Sequence, residues 1–263
     1  MCRWLGYTGQ PIYLRDLVLK PENSLVNQSR SSRGRHGDGF GFGWYDKKSS
    51  PEMFRSPEPI WKSQDLESLV SRIQAGSFLA HARASTTGTV NEENCHPFQK
   101  ENWLFVHNGR IVDFQTVRSE LLSAIAPDIC LDLSNATDSK LMFFLALSFG
   151  LENDPIFALE SMVGFVERIC QRAGIKQPVM FSAGLTDGEK LIAVRYSTKR
   201  DSRTLFVCEQ IERNANRNKI EHSYVVASEP LSRSGEDWQL LPESTAIIIA
   251  NNKLTWRDFR PVI

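Results

Sequence analysis

The chain begins Met1-Cys2-Arg3-Trp4-Leu5-Gly6-Tyr7, and this stretch is the most informative part of the sequence. Residues 2–8 are predicted to form a strand that enters a core. Removal of Met1 would leave Cys2 with its thiol and a free α-amino group on one residue. A free α-amine titrates at about 7.7–8.0, so it can take the thiol proton, and Cys2 would then supply both nucleophile and base. The alternative is a cysteine that is simply buried.

Length, composition and charge are those of a globular chain. The 263 residues are 41% hydrophobic and 24% charged, and the formal net charge is +0. This length suits one α/β or layered α+β unit, and the neutral balance argues against nucleic acid or an anionic membrane as partner. No apolar run of about 18 residues and no signal-peptide pattern is present, so no transmembrane helix is expected. The five scattered cysteines, without a CxxC pair, favour a reducing, cytoplasmic location.

Hydrophobic periodicity predicts an α+β organisation. Predicted strands of the first half occupy residues 2–8, 39–45, 78–83 and 103–107, the last followed by a turn at Asn108-Gly109. Predicted helices occupy residues 64–75, 111–125, 138–149 and 155–173. In the second half, Asp187-Gly188 predicts a hairpin turn, and short strands are predicted at 179–185, 190–196, 203–209, 222–227, 245–250 and 253–256. Antiparallel strands in two sets, with helices between them, favour two sheets packed with helices, an α+β sandwich.

Two motifs carry candidate binding residues. In HARASTTG, residues 81–88, Arg83 ends a predicted strand, and its guanidinium with the following hydroxyls and amides suits a carboxylate. The alternative is a surface arginine beside a turn. In NCHPF, residues 94–98, His96 could orient a loop or polarise a neighbouring group, while Cys95 is expected to be structural. Neighbouring residues on extended backbone face opposite ways and further ligands are lacking, so no metal site is expected.

Three further motifs concern the reacting centre. In VHNG, residues 106–109, the Asn108 amide and the Gly109 N–H can supply two donors to an oxyanion, although Asn-Gly is also a common turn. In TDSK, residues 137–140, Asp138 opens a helix as its cap or faces a substrate ammonium. With Arg83 it would then recognise both charged groups of a free α-amino acid. The alternate glycines of residues 36–45, HGDGFGFGWY, allow close backbone approach, and no helix follows that would make a phosphate loop.

Taken in this order, these motifs resemble the glutaminase domain of class II glutamine amidotransferases, members of the N-terminal-nucleophile hydrolases. The resemblance extends over residues 1–263 as a single domain, with a late strand followed by SEPL at residues 228–231. It implies a four-layer αββα sandwich with two antiparallel sheets between helical layers. It also implies roles for the site residues: Cys2 as nucleophile, Asn108 and Gly109 as oxyanion hole, Arg83 for the substrate α-carboxylate, Asp138 for its α-amine, and Thr86 and His96 as substrate-binding residues.

The chain is most similar to short, stand-alone members of this superfamily, so any ammonia acceptor is expected on another chain. It departs from the larger amidotransferases at Ala84, where they carry a tryptophan of a closing loop. The expected reaction is hydrolysis of glutamine or another γ-glutamyl small molecule, with no cofactor and no metal. Ammonia could be passed to a separate partner protein. The alternatives are a γ-glutamyl hydrolase acting on a glutathione-like or γ-glutamyl peptide substrate, and a catalytically silent binding subunit.

Overall fold

The computed structural model describes residues 2–31, 37–46, 50–84, 90–129, 133, 135–209, 212–213, 218–219, 223–232, 234 and 237–262. The strands are β1 Arg3–Tyr13, β2 Phe40–Tyr45, β3 Glu52–Ser56, β4 Gln74–Ala82, β5 Phe98–Lys100, β6 Trp103–Ile111, β7 Val179–Thr186, β8 Lys190–Ser197, β9 Phe206–Glu209, β10 Glu212–Arg213, β11 Asn218–Lys219, β12 Tyr224–Ala227, β13 Trp238–Leu240, β14 Thr245–Ala250 and β15 Lys253–Asp258. The helices are α1 Arg15–Val18, α2 Leu25–Ser31, α3 Leu66–Arg72, α4 Phe114–Ser123, α5 Asp138–Ser148 and α6 Pro155–Arg172.

Two antiparallel sheets form the centre of the fold. The first has seven strands in the order β13-β9-β12-β1-β4-β2-β3, and the second has six in the order β15-β14-β8-β7-β6-β5. In β1, Trp4 faces the second sheet while Leu5 faces the helices of its own side, as the two-residue period of a strand requires. In β6, Leu104 faces the first sheet, and Phe105 faces the helices on the outer side of the second sheet. Each sheet thus has two apolar faces, and both must be covered.

The helices cover the two outer faces. Helices α1 to α3 pack on the first sheet through residues such as Leu17 and Val70, and α4 to α6 pack on the second through residues such as Phe143 and Met162. Helix α5 is buried without a break from Leu141 to Leu147, because it lies between the second sheet and α6. This arrangement confirms the four-layer αββα sandwich. None of the helices in the described part of the chain has the length and apolar character needed to cross a bilayer.

The hairpin predicted at Asp187-Gly188 is confirmed. The Asp187 carboxylate accepts the backbone N–H groups of Glu189 and Lys190 at 3.1 and 3.0 Å. Gly188 adopts a φ of 94°, which costs glycine little and other residues more. The turn therefore places β7 and β8 side by side in the second sheet.

The turn predicted at Asn108-Gly109 is wrong. Strand β6 continues through both residues to Ile111, with Asn108 opposite Ser182 and Gly109 opposite Phe181 in β7. Because β7 pairs with β6 over this whole length, the chain stays extended through Asn-Gly and no reversal occurs. The predicted helix over 111–125 accordingly begins only at Phe114.

Close approach of the two sheets generates a stability prediction at Gly184. A Cβ atom at this position would lie 2.6 Å from Cζ3 of Trp4, whose ring is almost fully buried between the sheets. We expect Gly184→Ala to lower the free energy of unfolding by about 1–3 kcal/mol through overpacking. Urea denaturation measures the change. Gly37→Ala is the matched control, since the nearest atom there is 3.6 Å away, and an equal effect of both substitutions would contradict the interpretation.

Candidate active site

Cys2 lies at the start of β1, where the first sheet approaches the second. The backbone at Trp4 is fixed by Ser228, whose Oγ accepts the Trp4 N–H at 3.0 Å and whose N–H donates to the Trp4 carbonyl at 2.9 Å. The Cys2 side chain is partly buried, and its Sγ lies 3.4 Å from the backbone nitrogen of Ala84. The thiol is thereby held just beyond the end of β4.

Asn108 and Gly109 reach the same point from the second sheet. Asn108 Nδ2 donates a hydrogen bond of 2.9 Å to the Cys2 carbonyl oxygen. A Cβ atom at Gly109 would lie 1.9 Å from the Met180 carbonyl oxygen and 2.4 Å from His107 Nε2. Glycine is therefore required at this position by close backbone approach.

Arg83 follows β4 and is buried, with 4% of its surface exposed. Its N–H donates to the Gly39 carbonyl at 2.8 Å, and its own carbonyl accepts the Asp38 N–H at 3.2 Å. Its Nη1 donates to the Asp38 carbonyl at 3.2 Å. The glycine-containing strand entry at residues 37–39 thus packs directly against the arginine and fixes its guanidinium.

Asp138 is the first residue of α5 but does not cap it. Thr137 is the N-cap, and its Oγ1 accepts the Lys140 N–H at 3.3 Å. The Asp138 carboxylate instead accepts the Ser139 N–H at 2.8 Å through Oδ1 and the Ile111 N–H at 3.0 Å through Oδ2. The second bond ties the start of α5 to the end of β6 and brings a carboxylate to the site.

His96 is buried, and its ring packs at a tilt between two others. The ring centroids of His81 and Phe98 both lie 4.3 Å from that of His96. Neither ring nitrogen of His96 has a hydrogen-bond partner among the described residues. Burial lowers the pKa of His96 well below its usual value, and the positive fields of His81 and nearby groups act in the same direction. His96 is therefore a neutral ring with unused polar atoms.

His107 is the main residue that the sequence analysis missed. Its Nδ1 lies 2.8 Å from Ser139 Oγ and its Nε2 lies 3.1 Å from the Met180 carbonyl oxygen. Because a carbonyl can only accept, Nε2 carries the proton and Nδ1 accepts from the Ser139 hydroxyl. Burial lowers the pKa of His107, although the Asp138 charge opposes this. Its place within VHNG was the available signal, but that motif does not reveal the partner on α5.

These residues line one cleft at the surface. It is lined by Cys2, Arg83, Ala84, Asn94, His96, His107, Gly109, Thr137, Asp138 and Ser139. Five of the sequence-predicted site residues thus come together, and Asn108 stands directly behind them through its bond to Cys2. Thr86 lies outside the described residues, as do Met1, His36 and Cys130. The cleft combines a thiol, a guanidinium, a carboxylate and a strand end with amide donors.

The site keeps the thiol in its protonated form. Burial raises the pKa of the Cys2 thiol and the Asp138 charge adds to this, whereas the Ala84 hydrogen bond and the Arg83 charge lower it. His96 and His107, with lowered pKa values, are poorly matched to take that proton. A thiol in this position therefore needs another base.

Cys95 occupies a structural position, in agreement with the sequence analysis. It is fully buried, and its Sγ lies 3.3 Å from the carbonyl oxygens of both Ser56 and Asn91. Within the described ranges, no group of three or more His, Cys, Asp or Glu side chains is gathered as metal ligands would be.

Comparison with known proteins gives relatives along most of the chain. The probable glutamine amidotransferase DUG3 of Saccharomyces cerevisiae is 28% identical over 95% of this chain and 82% of its own length. The γ-glutamyl-hercynylcysteine sulfoxide hydrolase of Mycolicibacterium smegmatis is 34% identical, with 42% of this chain and 52% of that relative aligned. The chain therefore matches only about half of the mycobacterial enzyme.

Solved structures agree with the fold. A glutamine aminotransferase class-II domain protein from Silicibacter pomeroyi superposes with a TM-score of 0.76 at 28% identity, covering 99% of this chain and 100% of that one. The phosphoribosylpyrophosphate amidotransferase of B. subtilis gives 0.66 at 14% identity, covering 99% of this chain and 50% of that one, and supports the fold alone. The family description "Glutamine amidotransferases class-II" matches residues 23–261. The chain thus belongs to the class II glutamine amidotransferases, a family of enzymes.

Proposed function

We propose that this chain hydrolyses a γ-glutamyl amide through a thioester on Cys2. The observation that carries the proposal is the 2.9 Å hydrogen bond from Asn108 to Cys2. It puts the proposed nucleophile and the proposed oxyanion donor in contact, from two different sheets. Arg83 and Asp138 lie in the same cleft and offer opposite charges.

The head group of the substrate is an α-amino acid. The Arg83 guanidinium is buried and suited to a bidentate pair with an α-carboxylate. The two Asp138 oxygens accept one backbone N–H from each of Ser139 and Ile111, and each retains acceptor capacity for an α-ammonium group. Binding of both the α-carboxylate and the α-ammonium group would orient the γ-carbonyl of the substrate towards Cys2.

Acylation begins with transfer of the thiol proton to the α-amine of Cys2, once Met1 has been removed. The thiolate sulfur attacks the γ-glutamyl carbonyl carbon, and the resulting oxyanion is bound by the second hydrogen of Asn108 Nδ2 and by Gly109 N–H. The carbon–nitrogen bond then breaks as the α-ammonium returns its proton to the leaving amine. Water, activated by the same α-amine, cleaves the thioester to glutamate and regenerates the thiol.

The leaving group defines two alternatives. If it is ammonia, the substrate is glutamine, and a separate acceptor protein is expected to raise glutamine turnover when cell extract is added. If it is a larger amine, the chain is a γ-glutamyl hydrolase, as the name of the mycobacterial relative states for that protein. A binding subunit without activity would release no glutamate from either substrate.

We place the protein in the cytoplasm, because the four described cysteines are all free thiols.

The first test concerns the nucleophile and its amine. Active preparations should lack Met1 by intact-mass measurement, because an amide nitrogen cannot act as the base. Cys2→Ala should abolish glutamate release, since no thioester can form without the sulfur. Cys95→Ala is the matched control and should retain turnover. Full activity in protein that keeps Met1, or in Cys2→Ala, would falsify the mechanism.

The second test concerns the oxyanion donor. Asn108→Ala should lower kcat by roughly 10²–10³-fold, because the donor matters most when charge develops on the carbonyl oxygen. Steady-state kinetics on glutamine or a γ-glutamyl peptide measures the effect. Asn153→Ala, at an exposed residue before α6, should leave kcat unchanged. A raised KM with normal kcat would assign Asn108 to ground-state binding instead.

The third test concerns the head group. Arg83→Lys keeps the charge but loses the bidentate fork, so it should weaken binding of substrates with an α-carboxylate. Asp138→Asn should penalise substrates with a free α-amine. With a substrate analogue that lacks the corresponding group, each substitution should become nearly silent in a double-mutant-style cycle. Additive losses in that cycle would mean that these side chains do not contact those groups.

A further inference from the structure

A second group of arginines, Arg3, Arg110 and Arg203, lies outside the cleft that contains Arg83, and Arg3 contacts the main chain of Cys2. Arg3 Nη1 donates to the Cys2 carbonyl oxygen at 3.1 Å. Arg110 projects from the same face of β6 as Asn108, which donates to that same oxygen. A step of two residues along a strand is about 7 Å, so Arg110 starts about 7 Å from Asn108.

Arg203 joins this group from the segment before β9. Arg195 shows where Arg203 lies. In the second sheet, Asn108 is opposite Ser182, and Ser182 is opposite Arg195, so the three form one row across the strands. Residues in one such row project from the same face of the sheet. Arg195 Nε donates to the Arg203 carbonyl oxygen at 3.1 Å. Burial lowers the pKa of Arg203, as do the positive charges of Arg110 and Arg3, and Arg203 also interacts electrostatically with Cys2.

Only part of this positive charge is balanced. Arg3 pairs with Glu229, with 3.4 Å between Nη2 and Oε1. Asp201 lies within electrostatic range of Arg203, but its carboxylate pairs with Lys199 at 3.2 Å. Neither Arg110 nor Arg203 forms an ion pair within the described part of the chain. Arg3 and Arg203 are partly buried and Arg110 is exposed. Like charges gathered in this way repel one another unless an anion binds among them.

None of the three arginines lines the cleft that holds Arg83 and Asp138. Arg3 contacts the carbonyl oxygen of Cys2, whereas the thiol faces Ala84 and the head-group pocket. A substrate whose head group fills that pocket must direct its leaving group to the other side of the scissile bond. Arg3, at the Cys2 carbonyl oxygen, lies outside the head-group pocket.

We propose that Arg3, Arg110 and Arg203 bind a carboxylate on the leaving group, so that γ-glutamyl peptides with a free carboxyl terminus are preferred over glutamine. This inference rests on the proposed γ-glutamyl hydrolysis at Cys2. Guanidinium groups bind carboxylates in bidentate pairs. A dipeptide leaving group spans about 7 Å when extended, so it can carry its carboxylate beyond Cys2 towards these side chains.

The experiment compares three substrates: γ-glutamyl-alanyl-glycine, the same peptide with a carboxyl-terminal amide, and glutamine. Glutamate release gives kcat/KM for each. The acid should exceed the amide, and Arg110→Gln and Arg203→Gln should each lower kcat/KM for the acid roughly three- to tenfold, as loss of a partly exposed charged contact implies. Values for the amide and glutamine should not change. Added salt should reduce the advantage of the acid.

Arg72→Gln is the matched control, because Arg72 is exposed on α3 over the outer face of the first sheet. An acid-to-amide ratio that stays constant in both Arg110→Gln and Arg203→Gln would overturn the inference. An equal loss on all three substrates would overturn it too, since it would assign the arginines a structural role. Absence of glutamate release from every substrate by the wild-type protein is a different failure, that of the proposed function itself.

Discussion

The site depends on the alignment of two sheets that share no strand. Cys2 and Arg83 belong to the ends of β1 and β4, whereas Asn108 and Gly109 belong to β6. The bond from Asn108 to the Cys2 carbonyl joins these ends directly. Deeper in the sandwich, Ser77 Oγ lies 3.1 Å from Thr186 Oγ1, which also links the two sheets. Such buried polar contacts resist sliding, because a displaced sheet would leave them unsatisfied.

Burial determines the protonation states of side chains in the cleft, as well as the shape of the cleft. It keeps the Cys2 thiol protonated and the rings of His96 and His107 neutral, so that the charges left in the cleft are those of Arg83 and Asp138. Asp138 has two roles at once: its hydrogen bonds hold α5 against the end of β6, and its remaining acceptor capacity faces the cleft. In the proposed function, positioning and recognition are thus combined in one side chain, while Thr137 caps the helix.

Local signals predicted an α+β sandwich, whereas the four-layer order and the roles of most cleft residues followed from the resemblance carried by the ordered motifs. Strand periodicity, the Asp187-Gly188 turn and the ordered motifs are all readable residue by residue. The wrong prediction of a turn at Asn108-Gly109 has a different origin. Only the length of the neighbouring β7 decides whether the chain reverses at Asn-Gly or continues as a strand. Short elements such as β3 and β5 carry too few residues to establish a period.

The contacts of His107 and the arginine group could not be predicted for the same reason. Ser139 and Met180 are distant from His107 in the sequence, and only the packing of α5 and β7 against β6 brings them to its two nitrogens. Arg3, Arg110 and Arg203 come from three separate segments, and each alone resembles an ordinary surface charge. Non-local assembly of this kind leaves no signal in any single stretch of sequence.

The differing environments of the cysteines have a consequence for chemical biology. Cys95, Cys170 and Cys208 are buried, whereas Cys2 is partly open beside a pocket with a fixed cation. An electrophile built on an amino-acid scaffold would be guided to Cys2 by its own head group, and the other three described thiols would be shielded by packing. Among the described thiols, Cys2 is thus the one that a ligand-like reagent can reach for covalent capture, and such a reagent could count competent molecules in a crude mixture.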